Sequence, residues 1–333
     1  MTDALDDAAA VATPVRRSRD VPVLVERARA GDPRAVARLI TLVESGDETL
    51  PRIAAALAPY AGRAQVVGLT GSPGVGKSTT TNELVRALRA RGRRVGVLAI
   101  DPSSPFTGGA ILGDRVRMQD HATDPGVYIR SMSSRGHLGG LSAATPQAVR
   151  VLEGAGCDVV LVETVGVGQA EVEVASLADT TLVLLAPGMG DAIQAVKAGI
   201  LEIADVFVVN KADRDGADAT VRDIQGMIAL GERGAGQWRP QVVRAVAARA
   251  EGIDDIAAAI DKHRGWLVEN GELRRRQEAR AAAEIEAITL GALRDRIGSL
   301  RDGTELSALA VRVAEGTIDP YTAADRLLTQ IAS

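Results

Sequence analysis

A glycine-rich run between a strand pattern and a helix pattern constrains this chain more than any other feature. Val66-Val67-Gly68-Leu69-Thr70 leads into Gly71-Ser72-Pro73-Gly74-Val75-Gly76-Lys77-Ser78-Thr79, and a helix-like stretch follows to Arg91. Gly-x4-Gly-Lys-Ser in that setting is a phosphate loop, which belongs to an α/β fold with a mainly parallel sheet. Gly71, Gly74 and Gly76 let the backbone turn with positive φ and approach an anion closely, so that N–H groups converge on phosphate oxygens at a helix start. Lys77 is expected to neutralise the β and γ phosphates, and the Ser78 hydroxyl to hold Mg2+.

A second motif selects the base. Asp205-Val206-Phe207-Val208-Val209 reads as a buried strand, and Asn210-Lys211-Ala212-Asp213 follows at its C-terminal end, where open α/β sheets bind ligands. A carboxylate there can accept from both N1–H and the exocyclic amine of guanine, a donor pair that adenine lacks. The two motifs together imply GTP as ligand and GDP as product.

Strand patterns recur near 65–70, 94–100, 127–131, 158–163, 180–186, 205–210 and 241–246, with helical patterns between most of them. Four regions are expected: a disordered N-terminus over 1–22, a helical arm over 23–62, the phosphate-loop domain over 63–265, and a helical arm over 266–333. Within the last, Trp266 to Ile297 reads as one long helix, followed by shorter ones near 304–314 and 320–331. A long helix outside a sheet domain needs a cover for its apolar residues, and dimerisation is the expected one.

The composition excludes several classes. The 333 residues are 46% hydrophobic and 25% charged, as in a soluble globular protein. Only 2% are aromatic and the net charge is -4, so the chain lacks both stacking platforms and a basic footprint for nucleic acid. No stretch is apolar for long enough to span a bilayer, and the N-terminus does not read as a secretory signal. Cys157 is the only cysteine; it reads as a core thiol, and a cytoplasmic setting is expected.

Mg2+ beside a phosphate loop calls for carboxylates, for which Asp101, Asp114 and Glu163 are candidates. Asp101 and Glu163 end strand patterns, whereas Asp114 stands beyond a Pro- and Gly-rich loop. Glu163-Thr164-Val165-Gly166 stands where many GTPases carry Asp-x-x-Gly. No Gln follows Gly166 directly, so the water-positioning role has no assigned residue, Gln169 being one candidate. The glycines of 107–109, 135–140 and 187–191 suit movable switch loops.

The motifs at 71–79, 101–109, 135–140, 163–169 and 210–213 closely resemble those of the MeaB/ArgK GTPases, bacterial relatives of the methylmalonic aciduria type A protein, over residues 23 to 333. The resemblance implies a homodimeric GTPase that associates with methylmalonyl-CoA mutase or a related adenosylcobalamin mutase. Such proteins gate cofactor delivery from an adenosyltransferase and protect the mutase. It also implies Mg2+ and switch roles for Asp101, Asp114 and Glu163, and a further switch over 186–197 with Lys197 as a candidate for activating hydrolysis. The family's usual Ser-Ala pair against guanine O6 is replaced here by Val246-Ala247-Ala248, which keeps backbone donors but loses the hydroxyl.

Other functions fit less well. A kinase of an amino-acid transport system would need an acceptor pocket and base that the sequence does not display. A nickel-insertion GTPase would need a Cys/His cluster, whereas His121, His137 and His263 are widely spaced. A partitioning ATPase would carry a second loop lysine where Ser72 stands.

Overall fold

The computed structural model describes residues 20–101, 119–121, 123–133, 144–164, 170–188, 201–231, 234, 236–301 and 304–332. Asp114, Gln169, Lys197, His137, the loops at 102–109 and 135–140, and most of the expected disordered N-terminus lie outside them. The chain forms two compact units, Met1–Leu273 and Arg274–Ser333.

In the first unit, seven parallel strands form one sheet: β1 (Gln65–Thr70), β2 (Val95–Asp101), β3 (Val127–Ser133), β4 (Val159–Thr164), β5 (Thr180–Leu185), β6 (Val206–Val209) and β7 (Gln241–Arg244). Their spatial order is β3-β2-β4-β1-β5-β6-β7. β1 is therefore central, and the chain passes to opposite sides of it in its two halves. Such a reversal opens a crevice beyond the strands' C-terminal ends.

Burial on both faces explains why these strands read as continuous apolar runs, with every residue of β1, β4, β5 and β6 buried. Side chains alternate between two cores. Val67, Leu69 and Leu161 pack with Leu84 and Val85 of α4 (Lys77–Ala90) and with Ile256 and Ile260 of a later helix (Ile253–Glu269). Val66, Val160 and Val162 face the other core, shared with the N-terminal arm α1 (Val21–Arg29), α2 (Pro33–Glu44) and α3 (Leu50–Leu57), and with α5 (Thr145–Gly154) and α6 (Ala170–Leu177). α7 (Ala217–Leu230) covers β5 and β6 through Val221, Ile224 and Ile228.

The helix Ile253–Glu269, α8, ends earlier than the pattern from Trp266 onward suggests. Asn270 closes it, and Gly271 at φ 71° gives the left-handed turn that stops a helix. Trp266 thus belongs to α8 and stacks on His263, which is fully buried and 2.9 Å from the Thr180 hydroxyl through Nδ1. Cys157 is buried as a core thiol, and burial pushes its pKa up to about 12.

α9 (Glu272–Arg301) is the long helix and leads into the second unit, where α10 (Thr304–Ala314) packs with α11 (Pro320–Ala332). Its Ile285, Ile288, Leu290 and Leu293 are exposed. No helix of the described residues is long and apolar enough to cross a membrane.

Candidate nucleotide site

The C-terminal end of β1 turns directly into the phosphate loop. Gly71 sits at φ 139°, and a Cβ there would lie 2.3 Å from the Leu184 carbonyl oxygen of β5. Gly76, at φ 97°, caps the N-terminus of α4, and a Cβ there would meet Asn210 Nδ2 at 2.4 Å. Any side chain at either position would push the loop off its neighbours. Lys77 opens α4, is buried, and folds back so that Nζ donates to the Gly71 carbonyl at 2.6 Å and the Ser72 carbonyl at 3.1 Å. The ammonium therefore lies within the curve of the loop.

β4 brings a carboxylate to the same place. Glu163 is paired in register with Leu69 of β1 and Ala99 of β2, and only 5% of it is exposed. Its Oε1 accepts from the Ser78 hydroxyl at 2.6 Å, and its Oε2 from the Thr81 hydroxyl at 2.9 Å. Thr81, a turn after Ser78 on the same face of α4, is a member that motif reading misses, because its partner arrives from a distant strand. Asp101 is the last residue of β2, opposite Ser133 of β3 and just past the Ile100–Thr164 pairing with β4. The structure thus brings Ser78 and Glu163 together and sets the Asp101 backbone at the same edge. Hydroxyl and carboxylate are the hard oxygen donors that Mg2+ takes.

The Asn210 motif ties three segments together. Asn210 Nδ2 donates to the Val75 carbonyl at 2.8 Å, and its Oδ1 accepts from the Ala247 N–H at 3.0 Å. Lys211 adopts φ 57°, an unusual conformation for a side-chain-bearing residue, and its Nζ reaches the Gly74 carbonyl at 2.6 Å. The Ala212 N–H donates to the Ala245 carbonyl at 3.0 Å. One tetrapeptide therefore fixes the phosphate loop relative to the end of β7.

Beyond β7, Val246 and Ala247 are buried and Ala248 is exposed. Ala247 spends its N–H on Asn210, which leaves Ala248 as the exposed residue of that stretch. Asp213 accepts from Arg249 Nη2 at 3.1 Å. Arg249 is also absent from the motif reading, although its position directly after 246–248 is a signal.

A parallel sheet whose central strand opens into this loop, with strand order reversing beside it, defines a P-loop nucleotide-binding protein that works as a GTPase. The family model of the methylmalonyl-CoA mutase-associated GTPase MeaB matches residues 36–301, and the chain belongs to that family. A protein of Pyrococcus abyssi is 48% identical over 311 residues, 92% of this chain and 96% of its own length. The mouse methylmalonic aciduria type A homolog, mitochondrial, is 35% identical over 274 residues, 80% of this chain and 65% of the mouse protein. Among solved structures, a LAO/AO transport system kinase superposes with a TM-score of 0.70 at 28% identity, covering 94% of this chain and 98% of that one.

Proposed function

We propose that this GTPase is a chaperone of an adenosylcobalamin-dependent mutase, with methylmalonyl-CoA mutase as the first candidate, using GTP to gate cofactor loading and to protect the mutase. The observation that carries this reading is the family match, since that family is described by its association with this mutase. The 35% identity to the methylmalonic aciduria type A homolog supports it. An adenosyltransferase would supply the cofactor, and the cytoplasm would be the setting.

In this reading Gly71 to Thr79 bind the phosphates, Lys77 offsets the charge that hydrolysis develops, and Asp213 reads guanine with Asn210, Lys211 and the 246–248 stretch around it. Ser78 and Glu163, with Asp101 and Asp114, would hold Mg2+. When bound, the ion supplies charge neutralisation across the β and γ phosphates. Intrinsic turnover would be slow and raised by the mutase, with Lys197 in the responding switch.

Adding purified methylmalonyl-CoA mutase is expected to raise the GTP hydrolysis rate and to co-elute with the protein in a nucleotide-dependent way. Absence of both effects would leave a GTPase with another client.

A further inference from the structure

The first turn of α6 sets a carboxylate toward the C-terminal end of β1, on the sheet face opposite α4. Asp179, just past α6, donates its N–H to the Val66 carbonyl at 2.8 Å, and its Oδ2 accepts from the Val66 N–H at 2.8 Å. Further back, α6 crosses β1 at Gly68, where a Cβ would lie 2.8 Å from Val174 Cγ2 and 3.1 Å from Ala178 Cβ. The helix therefore runs antiparallel to β1. Glu171, one turn before Val174 on the same face, therefore lies toward the C-terminal end of β1, where Thr70 leads into the loop.

Glu171 differs from Glu163 in what holds it. Both oxygens of Glu163 accept hydroxyl hydrogen bonds from α4, which commits it to Ser78 and Thr81. Glu171 is half-buried and makes no hydrogen bond among the described residues. Burial pushes its carboxyl above the usual carboxylate range, while the Lys77 ammonium, close enough to act on it, pulls the other way. Lys77 of α4 is the charged group that acts on it among the described residues. A half-buried carboxylate with no hydrogen-bond partner among the described residues, near the lysine of a phosphate loop, can accept a proton from water at the terminal phosphate.

We propose that Glu171 is the catalytic residue that orients the attacking water and takes its proton in GTP hydrolysis. The water oxygen forms a bond to the γ-phosphorus, and the bond from that phosphorus to the β–γ bridging oxygen breaks. The electron pair leaves with GDP, and the water's proton passes to the Glu171 carboxylate and from there to the released phosphate. This gives a residue to the role that the missing Gln after Gly166 leaves open.

The test is single-turnover GTP hydrolysis by Glu171→Gln and Glu171→Asp across pH, beside titration with a fluorescent GTP analogue and a melting curve. Glu171→Gln is expected to slow hydrolysis by about 100-fold or more, the range of a lost general base, with GTP affinity held within roughly threefold. The wild-type rate should fall as pH drops and Glu171 takes up a proton; Glu171→Gln should lack that acid limb and Glu171→Asp should keep it. Hydrolysis by Glu171→Gln at the wild-type rate, loss of GTP affinity in step with rate, or an unchanged acid limb in the Gln variant would each overturn the assignment.

Discussion

Asn210 and Asp213 stand in one motif yet do different work, and substitution can separate them. Asn210 is buried and spends both ends of its amide on backbone, so Asn210→Ala strands the Val75 carbonyl and the Ala247 N–H at about 1–3 kcal/mol for each unsatisfied group. Asp213 is partly exposed and bonded only to the Arg249 guanidinium among the described residues, so Asp213→Asn should leave the melting temperature nearly unchanged. Its expected effect is on ligand choice. A neutral amide offers one acceptor where guanine presents two donors, and calorimetric titration should show GTP affinity falling at least tenfold, about 1.4 kcal/mol, while ATP binding stays weak. Equal affinity of the unaltered protein for ATP and GTP would sink the base-reading role. The residues of these motifs were legible because each role depends on neighbours close in sequence. Thr81 was not, because its partner Glu163 arrives from β4 and no spacing records such a meeting.

Elements were legible where burial imposes a period and less so where one residue decides a boundary. The parallel strands stood out as apolar runs because both faces are covered. The break between α8 and α9 did not, because helical spacing continues across Asn270 and only the left-handed turn at Gly271 interrupts it. The N-terminal arm shows what packing adds to such patterns. Leu57 is buried against α5, close enough that a Cβ on Gly154 would meet its Cδ2 at 2.4 Å, and the Gly62 N–H donates to Glu153 at the end of α5. Arg130 of β3 pairs with Glu44 of α2, a second tie between arm and sheet. Leu57→Ala removes most of a buried side chain and leaves a cavity, with an expected cost of about 2–5 kcal/mol. Because Leu57 is one of the arm's own contacts with α5, the loss should first loosen the arm. Limited proteolysis should cut within residues 20–62 before global melting, and simultaneous loss of arm and sheet would show that they unfold as one unit.

For the whole molecule, the main contrast lies between the two units. In the first, apolar side chains from nearly every element close over the sheet, and the nucleotide site sits at one end of that packing. In the second, Ile285 and Ile288 are 66% and 59% exposed, with Leu290 and Leu293 exposed farther along the same helix. Pairs three residues apart on a helix lie side by side, so these form two adjoining apolar patches. Each buried leucine or isoleucine is worth about 1.5–3 kcal/mol, so covering these side chains favours association with a second copy. We propose that the chain is the homodimer its sequence leads one to expect, which predicts that light scattering will give twice the chain mass. Ile285→Glu combined with Ile288→Glu should bring that to a monomer, because four charges, two from each copy, cannot be buried without partners. The Glu variant should still bind and hydrolyse GTP at its intrinsic rate, since the phosphate loop, Glu163 and the Asn210 motif all belong to the first unit. A wild-type chain that is monomeric at micromolar concentration would refute the dimer, and a variant that loses hydrolysis as well would show that the site depends on its partner copy.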